Sequence, residues 1–92
     1  MTVNPGFGHQ HFLQGTLPKI ARVRRMVEDT NPLCEVEVDG GIDEATAPLV
    51  ATAGANVFVA GSSIFGHSAG VAQATDRLRA AIAQRKSAAA TP

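Results

Sequence analysis

Asp39 is the residue whose type and position most strongly indicate chemistry. It ends the alternating segment Cys34-Glu35-Val36-Glu37-Val38 and is followed at once by Gly40 and Gly41. A carboxylate at the end of a strand can bind a metal ion and can move a proton beside a substrate carbonyl. The alternative is a type I′ hairpin turn, for which Asp-Gly is a favoured pair. Residues 41–44 do not resume the alternation of a second hairpin strand, which favours the candidate site.

Glycine-bearing loops follow two other short apolar segments. Gly6, Phe7 and Gly8 follow residues 1–3, and the pair Gly61-Ser62 follows residues 56–60. In parallel α/β folds, the loops after the strands form the edge where ligands bind. Glycine allows close backbone approach and positive φ, so that successive N–H groups can converge on an anion. The loops after the last two strands therefore predict a phosphate cradle.

The elements that position these loops alternate along the chain. Strands are predicted at residues 1–3, 34–38 and 56–60, with helices from Thr16 to about residue 31, from Asp43 to residue 53 and over about 68–86. This order predicts an α/β fold with parallel strands and right-handed crossovers. The strand spacing suits an eight-unit (β/α)₈ barrel, which uses roughly 31 residues per unit, so the chain would hold three βα units. The Ala-rich residues 87–92 are predicted to form a disordered tail.

Helix signals and side-chain patterns refine these elements. Thr16 is predicted to be the N-cap of the first helix, and Pro18 is tolerated in its first turn. The apolar stripe of that helix is Leu17, Ile20, Val23 and Val27, and the arginines at positions 22, 24 and 25 are predicted to be its solvated face.

Composition excludes several classes of protein. The 92 residues carry eight basic and eight acidic side chains, and this zero balance argues against a general nucleic-acid or anionic-membrane binder. No apolar run approaches the roughly 20 residues of a membrane span, and the N-terminus lacks the pattern of a signal peptide. Cys34 is the single cysteine, which excludes an intrachain disulfide and favours the cytoplasm. We expect it to be a buried structural thiol rather than a nucleophile.

Two segments together resemble a known family. Residues 1–10, MTVNPGFGHQ, are similar to the loop-six signature of ribulose-phosphate 3-epimerases, and residues 35–42, EVEVDGGI, resemble their strand-seven motif. The match continues in order through residues 46–48, 53–56 and 59–65, and covers roughly residues 1–86. The resemblance implies strands six to eight, with their helices, of a ribulose-phosphate-binding TIM (β/α)₈ barrel.

This family interconverts D-ribulose 5-phosphate and D-xylulose 5-phosphate through a cis-enediolate. The resemblance implies that Asp39 is both a metal ligand and one of two acid/base aspartates, and that Met1 packs against the intermediate. It implies a divalent metal (Zn, Fe, Mn or Co), a pentulose phosphate substrate, a homo-oligomer when full length, and no nucleic-acid or membrane partner. The implied substrate- and phosphate-binding residues are Gly6, Phe7, Gly8, His9, Gly40, Gly41, Gly61 and Ser62.

Departures from the family pattern leave alternatives open. His9 stands where the family has glycine, and two metal-binding histidines and the second aspartate belong to earlier strands, so we expect the chain alone to be inactive. A related epimerase acting on allulose 6-phosphate, a noncatalytic phosphate-binding remnant and a half-barrel that assembles with another chain are the alternatives. A metal site at His9, His11 and His67 is a minor alternative to exposed loop histidines. Glu37 is a candidate for supporting the site, since it shares the strand face of Asp39.

Overall fold

The computed structural model describes residues 1–4 and 11–90, with side chains described through residue 83. A short 3₁₀ turn, Gln14–Thr16, leads into the first helix. The helices are α1 (Leu17–Thr30), α2 (Ala47–Ala53), α3 (Ser62–Phe65) and α4 (Val71–Ala90), and the strands are β1 (Glu37–Asp39) and β2 (Val57–Val59). None of the helices in the described part of the chain combines the length and the apolar character that crossing a bilayer requires.

Strands β1 and β2 pair in parallel, as the alternation of strands and helices predicts. Glu37 lies opposite Val57, and Asp39 lies opposite Val59. Strand β1 is shorter than the predicted strand over 34–38, because the Cys34 N–H donates to the Asn31 carbonyl at 2.9 Å in the turn after α1. The two strands therefore end side by side, and the loops that follow them begin at one edge of the sheet.

The first predicted strand, residues 1–3, is not a strand in the structure. The Thr2 N–H donates to the Asp39 carbonyl at 2.9 Å, but the Thr2 carbonyl accepts the Leu13 N–H at 2.7 Å. The segment therefore lies against the end of β1 without forming a ladder with it. Thr2 and Val3 are nevertheless buried, with 1% and 8% of their surfaces exposed.

The first helix differs from its prediction at its start and on one face. Thr16 is not a side-chain N-cap: its backbone is already helical, and its hydroxyl donates to the Leu13 carbonyl at 2.6 Å. Pro18 lies in the first turn and the helix ends at Thr30, both as predicted. Of the predicted apolar stripe, Ile20 is buried but Val23 is 45% exposed.

Arg24 is not part of a solvated face. Its side chain is half-buried, and its Nε donates to the Gly54 carbonyl at 2.7 Å, just beyond the C-terminus of α2. This hydrogen bond connects α1 to the end of α2. The positive charge of Arg24 adds to it, because a cation is favourable at a helix C-terminus. The prediction of solvent exposure was therefore wrong for Arg24, whereas Arg22 and Arg25 are exposed.

A capping box precedes helix α2. The Asp43 carboxylate accepts the N–H groups of Ala45 and Thr46, both at 2.8 Å, and the Thr46 hydroxyl accepts the Asp43 N–H at 3.0 Å. Asp43 therefore caps this region as predicted. Because α2 itself begins at Ala47, Pro48 lies in the first turn, where a missing N–H costs no helical hydrogen bond.

The core lies between the sheet and the helices. It is formed by buried apolar side chains from every helix and from β1, together with residues of the loops: Ile20, Val36, Val38, Ile42, Ala47, Val50, Ala55, Ile64, Ala74 and Leu78. Cys34 lies outside this core and is exposed, so the prediction of a buried thiol was wrong. The last helix spans Val71–Ala90, and the predicted disorder of residues 87–92 stays a prediction.

Candidate functional site

Asp39 closes β1 with its side chain on the face opposite the core. Its neighbour Val38 is 3% exposed, and because side chains alternate along a strand, Asp39 and Glu37 both face outward. Glu35 is exposed as well. Glu37 and Asp39 therefore share one face of β1, whereas Glu35 lies before the strand begins. An outward carboxylate at a strand end can reach a ligand held by the adjacent loops.

The glycine loops after β1 and β2 come together at this edge. Gly41, Gly61 and Ser62 are exposed, and Gly40 is half-buried. A direct bond joins the two loops, because the Ser63 hydroxyl donates to the Ile42 carbonyl at 2.6 Å. The structure thus places the two predicted phosphate-binding loops side by side, next to Asp39.

Gly40 and Gly41 are required by both conformation and space. Their φ angles are +125° and +69°, in the region that favours glycine. A Cβ on Gly40 would lie 2.6 Å from a methyl group of Val3, and one on Gly41 would lie 2.9 Å from the Phe12 Cβ. Gly61 differs, since its φ is −108° and no atom lies within 4 Å of an added Cβ.

Three hydroxyl-bearing residues at this edge had no role in the sequence analysis. Thr2, Thr46 and Ser63 each donate a hydrogen bond to a carbonyl of the Gly40-Gly41-Ile42 segment. The available signal was the polar Thr2 between two apolar residues of a short β-favouring segment. Side chains that hold backbone carbonyls leave no spacing pattern, so Thr46 and Ser63 gave no comparable signal.

The remaining predicted site residues are placed less fully. Met1 is 65% exposed, at the mouth of a cavity of about 250 Å³ that Thr2, Lys19, Val36 and Glu37 also line. Its packing against an intermediate stays a prediction. The predicted substrate-loop residues lie outside the described part of the chain: Gly6, Phe7, Gly8 and His9.

The described residues do not assemble a metal centre. Across residues 1–4 and 11–90, no three His, Cys, Asp or Glu side chains lie close enough together to hold an ion. Asp39 can offer carboxylate oxygens, but a tightly held divalent ion needs several ligands. His67 is half-buried, and its Nδ1 accepts the Ala69 N–H at 3.0 Å, while His11 is exposed. The described residues by themselves therefore do not fit a complete metal site.

A cavity of about 430 Å³ adjoins the Ser62–Ser63 turn, since both serines are in its lining. Asp43, Glu44 and His67 also line it, together with the apolar side chains of Ala74 and Leu78.

Comparison with known proteins identifies the family of this chain. A profile of the ribulose-phosphate 3 epimerase family matches residues 1–65. The chain is 54% identical over 69 residues to a ribulose-phosphate 3-epimerase of Bacillus subtilis (strain 168), covering 74% of this chain and 32% of that protein.

Two further relatives give the same result. Identity is 50% over 66 residues to an enzyme of that name from Serratia marcescens, covering 72% of this chain and 31% of the relative. Identity is 48% over 65 residues to a ribulose-phosphate 3-epimerase of Escherichia coli (strain K12), covering 71% of this chain and 29% of that relative. The chain thus spans about a third of the length of the curated relatives that it matches. With its parallel βα order and its matched glycine loops, the chain belongs to the ribulose-phosphate 3-epimerase family.

Proposed function

We propose that this chain supplies the C-terminal portion of a barrel that interconverts D-ribulose 5-phosphate and D-xylulose 5-phosphate. The observation that carries the proposal is the position of Asp39, at the end of β1 and directly before the Gly40–Gly41 loop, in a chain that belongs to this family. The same edge would then hold the phosphate group and the carboxylate that acts on the sugar.

Asp39 would act on the proton at carbon 3 of the substrate. That carbon is adjacent to the ketone at carbon 2, so removal of its proton gives an enediolate with negative charge on oxygen. Return of a proton to the opposite face of carbon 3 inverts the configuration. One carboxylate serves one face, so the second acid/base group comes from residues outside this chain.

The exposed backbone of the two glycine loops would hold the phosphate group. Neutral N–H groups that converge on one point form an anion-binding concavity. Binding of the phosphate, which does not react, orients carbon 3 toward Asp39 and so contributes to catalysis. Gly40, Gly41, Gly61 and Ser62 are the residues that we assign to this role.

Enzymes of this family are metal-dependent. A bound divalent ion stabilises negative charge that develops on substrate oxygens. We propose Asp39 as the single ligand that this chain contributes, with the remaining ligands supplied by residues outside the chain. The full-length protein would be a cytoplasmic homo-oligomer.

Several surface features support a chain that is covered by further protein. Leu33, Phe65 and Met26 are 91%, 77% and 61% exposed, and Met1 is 65% exposed. Exposed apolar surface of this kind marks a place where other protein packs when the side chains lie together in a contiguous patch. The chain also spans only 32% of its Bacillus subtilis relative. A barrel that completes this surface would also supply the missing acid/base group.

Turnover tests this proposal directly. The 92-residue chain is purified free of host epimerase and assayed with ribulose 5-phosphate and Zn²⁺, Fe²⁺, Mn²⁺ or Co²⁺. A second protein, in which the N-terminal portion of a relative is fused before this chain, is assayed in the same way and is called the joined protein. We expect no turnover by the chain alone and turnover by the joined protein. Turnover by the chain alone would refute the proposal that the second acid/base group lies outside this chain. An inactive joined protein that is folded would refute the assignment of Asp39 and its loops.

A second candidate function is phosphate binding without catalysis. It is favoured by the presence of the glycine loops together with the lack of a metal centre among the described residues. Binding of ribulose 5-phosphate by the joined, folded protein without turnover at any metal concentration supports this candidate. Parallel assays with allulose 6-phosphate separate the two possible substrates.

A further inference from the structure

Three successive carbonyl groups after β1 are each held by a hydroxyl from a different part of the chain. The pairs are Thr2 to Gly40 at 2.6 Å, Thr46 to Gly41 at 2.5 Å and Ser63 to Ile42 at 2.6 Å. We call these three hydroxyls the hydroxyl clamp. The donors come from the N-terminal segment, from the turn before α2 and from α3, so the clamp surrounds the segment.

The clamp acts where the backbone has most freedom. Gly40 and Gly41 lack a Cβ, and glycine samples a wider range of φ and ψ than any other residue. Without further restraint, the peptide planes on either side of Gly41 would rotate readily. Bonds to successive carbonyls remove that rotation, because each peptide unit is planar and turns as one body.

Holding a carbonyl also sets the direction of an N–H group. In a trans peptide, the C=O of one residue and the N–H of the next point in opposite directions. The bond to the Gly40 carbonyl therefore aims the Gly41 N–H, and the bond to the Gly41 carbonyl aims the Ile42 N–H. The next N–H, that of Asp43, is taken by the Thr46 hydroxyl at 3.0 Å.

We propose that Thr2 and Thr46 are positioning residues that aim the N–H groups of Gly41 and Ile42 at the phosphate of a sugar phosphate. Ser63 holds the peptide that follows, whose Asp43 N–H already bonds to the Thr46 hydroxyl. This inference rests on the proposed function and identifies what gives the glycine loop its binding geometry. The clamp residues act through the backbone and do not touch the ligand. Preorganised N–H donors bind an anion without first having to be ordered, which is the source of the expected affinity.

The test compares variants that remove a hydroxyl with variants that keep it. Ser63→Ala and Thr2→Val each remove one bond, and Thr46→Val removes both the bond to the Gly41 carbonyl and the bond from the Asp43 N–H. Ser63→Thr, Thr46→Ser and Thr2→Ser retain the hydroxyl. The probes are inorganic phosphate and ribulose 5-phosphate, titrated into the ¹⁵N-labelled chain while the amide resonances of Gly41 and Ile42 are followed by NMR. The same variants are made in the joined protein to measure KM and kcat.

We expect Thr2→Val to bind both probes about 3- to 10-fold more weakly, which corresponds to the net worth of one hydrogen bond, and Thr46→Val to lose at least as much. Ser63→Ala should bind like the parent, because the N–H that it orients is already bonded. The hydroxyl-keeping variants should bind like the parent. In the joined protein, Thr2→Val and Thr46→Val should raise KM while kcat changes little. Arg24→Ala is the matched control for lost stability, since it removes a bond distant from the glycine loop, and it should leave phosphate affinity unchanged.

The possible failures differ in what they overturn. If the parent chain binds the probes at Gly41 and Ile42 and Thr2→Val and Thr46→Val bind equally well, the clamp is purely structural and this inference is wrong, while the proposed function stands. If the parent binds neither probe, in the chain or in the joined protein, both are wrong. Should Thr2→Val fail to fold, the comparison of Thr46→Val with Thr46→Ser decides the question, because Thr46 is only half-buried.

Discussion

The side-chain oxygen of Asn56 accepts the backbone N–H of Val36 at 2.7 Å, while the Asn56 N–H donates to the Val36 carbonyl at 2.9 Å. The two residues thus form a closed pair immediately before β1 and β2. This pair fixes the register in which Asp39 lies opposite Val59, three residues further along each strand. The glycine loops after both strands consequently begin at the same level.

Replacing Asn56 tests the strength of this pair. Asn56→Ala removes the acceptor of the Val36 N–H and should destabilise the chain by about 1–2 kcal/mol, because a backbone donor loses its partner. Asn56→Asp keeps an acceptor oxygen at the same place and should cost less. Urea denaturation followed by circular dichroism measures both, and equal losses would show that the side-chain bond does not matter.

The glycines at the candidate site should differ in their tolerance of a side chain. Gly40→Ala and Gly41→Ala combine positive φ with contacts under 3.0 Å, so each should destabilise the chain by about 1–3 kcal/mol. Gly61→Ala has a negative φ and open space, and should change stability by less than about 0.5 kcal/mol. Thermal unfolding of the three variants checks this order. A loss at Gly61 as large as that at Gly40 would contradict it.

Arg24 and Arg25 provide a matched pair on α1. Arg24→Ala removes the bond to the Gly54 carbonyl and the cation beside the end of α2, and should cost about 1–2 kcal/mol. Arg25→Ala removes an exposed side chain from the same helix and should change stability by less than about 0.5 kcal/mol. The difference is measured by chemical denaturation, and equal effects would mean that the bond to Gly54 adds nothing.

Cys34 should react with a thiol reagent in the folded chain. Its side chain is exposed, and its thiol contacts the Glu35 carbonyl at 3.6 Å. Ellman's reagent should modify one thiol per chain without denaturant, at a rate close to that of the urea-unfolded protein. Cys34→Ser should give no reaction and unchanged stability. A thiol that reacts only after unfolding would restore the expectation of a buried residue.

Asp39→Asn should separate chemistry from folding. The outward carboxylate is exposed at the end of β1, so its replacement should alter the stability of the chain by less than about 0.5 kcal/mol. In the joined protein, the same change should lower kcat by about 10²- to 10⁴-fold, because a proton carrier is lost. Glu28→Gln, an exposed carboxylate on α1, should change neither quantity. Wild-type turnover by Asp39→Asn would remove Asp39 from the mechanism.

Periodicity predicted those features that depend on neighbours in sequence. The alternation around Val36 and Val38 gave the buried face of β1, and the Asp43 capping signal and the glycine at position 54 marked the two ends of the α2 region. The pairing of the two loops followed from the parallel order alone. These features are local or follow directly from the order of the elements, which is why the sequence reveals them.

Tertiary contacts decided the rest. Arg24 looked solvated because its helix carries other arginines, but its partner Gly54 is 30 residues away. Cys34 was predicted to begin a strand, but its N–H donates to the Asn31 carbonyl in the turn after α1. Thr2 bonds to β1 through its backbone N–H, whereas its carbonyl accepts the N–H of Leu13 instead of pairing with the strand. The structure at each of these residues depends on which other group accepts its hydrogen bond, and residue spacing in the sequence does not identify that group.

The hydroxyl clamp also constrains the order in which the molecule can be built. Its donors lie 38, 5 and 21 residues from the carbonyls they hold. Closing the loops of 38 and 21 residues is slow compared with forming a helix, because chain entropy must be lost before any bond is gained. The Gly40-Gly41-Ile42 segment can reach its final geometry only after residue 63 has left the ribosome. During translation, the candidate site is therefore completed late, after the helix that precedes it has had time to form.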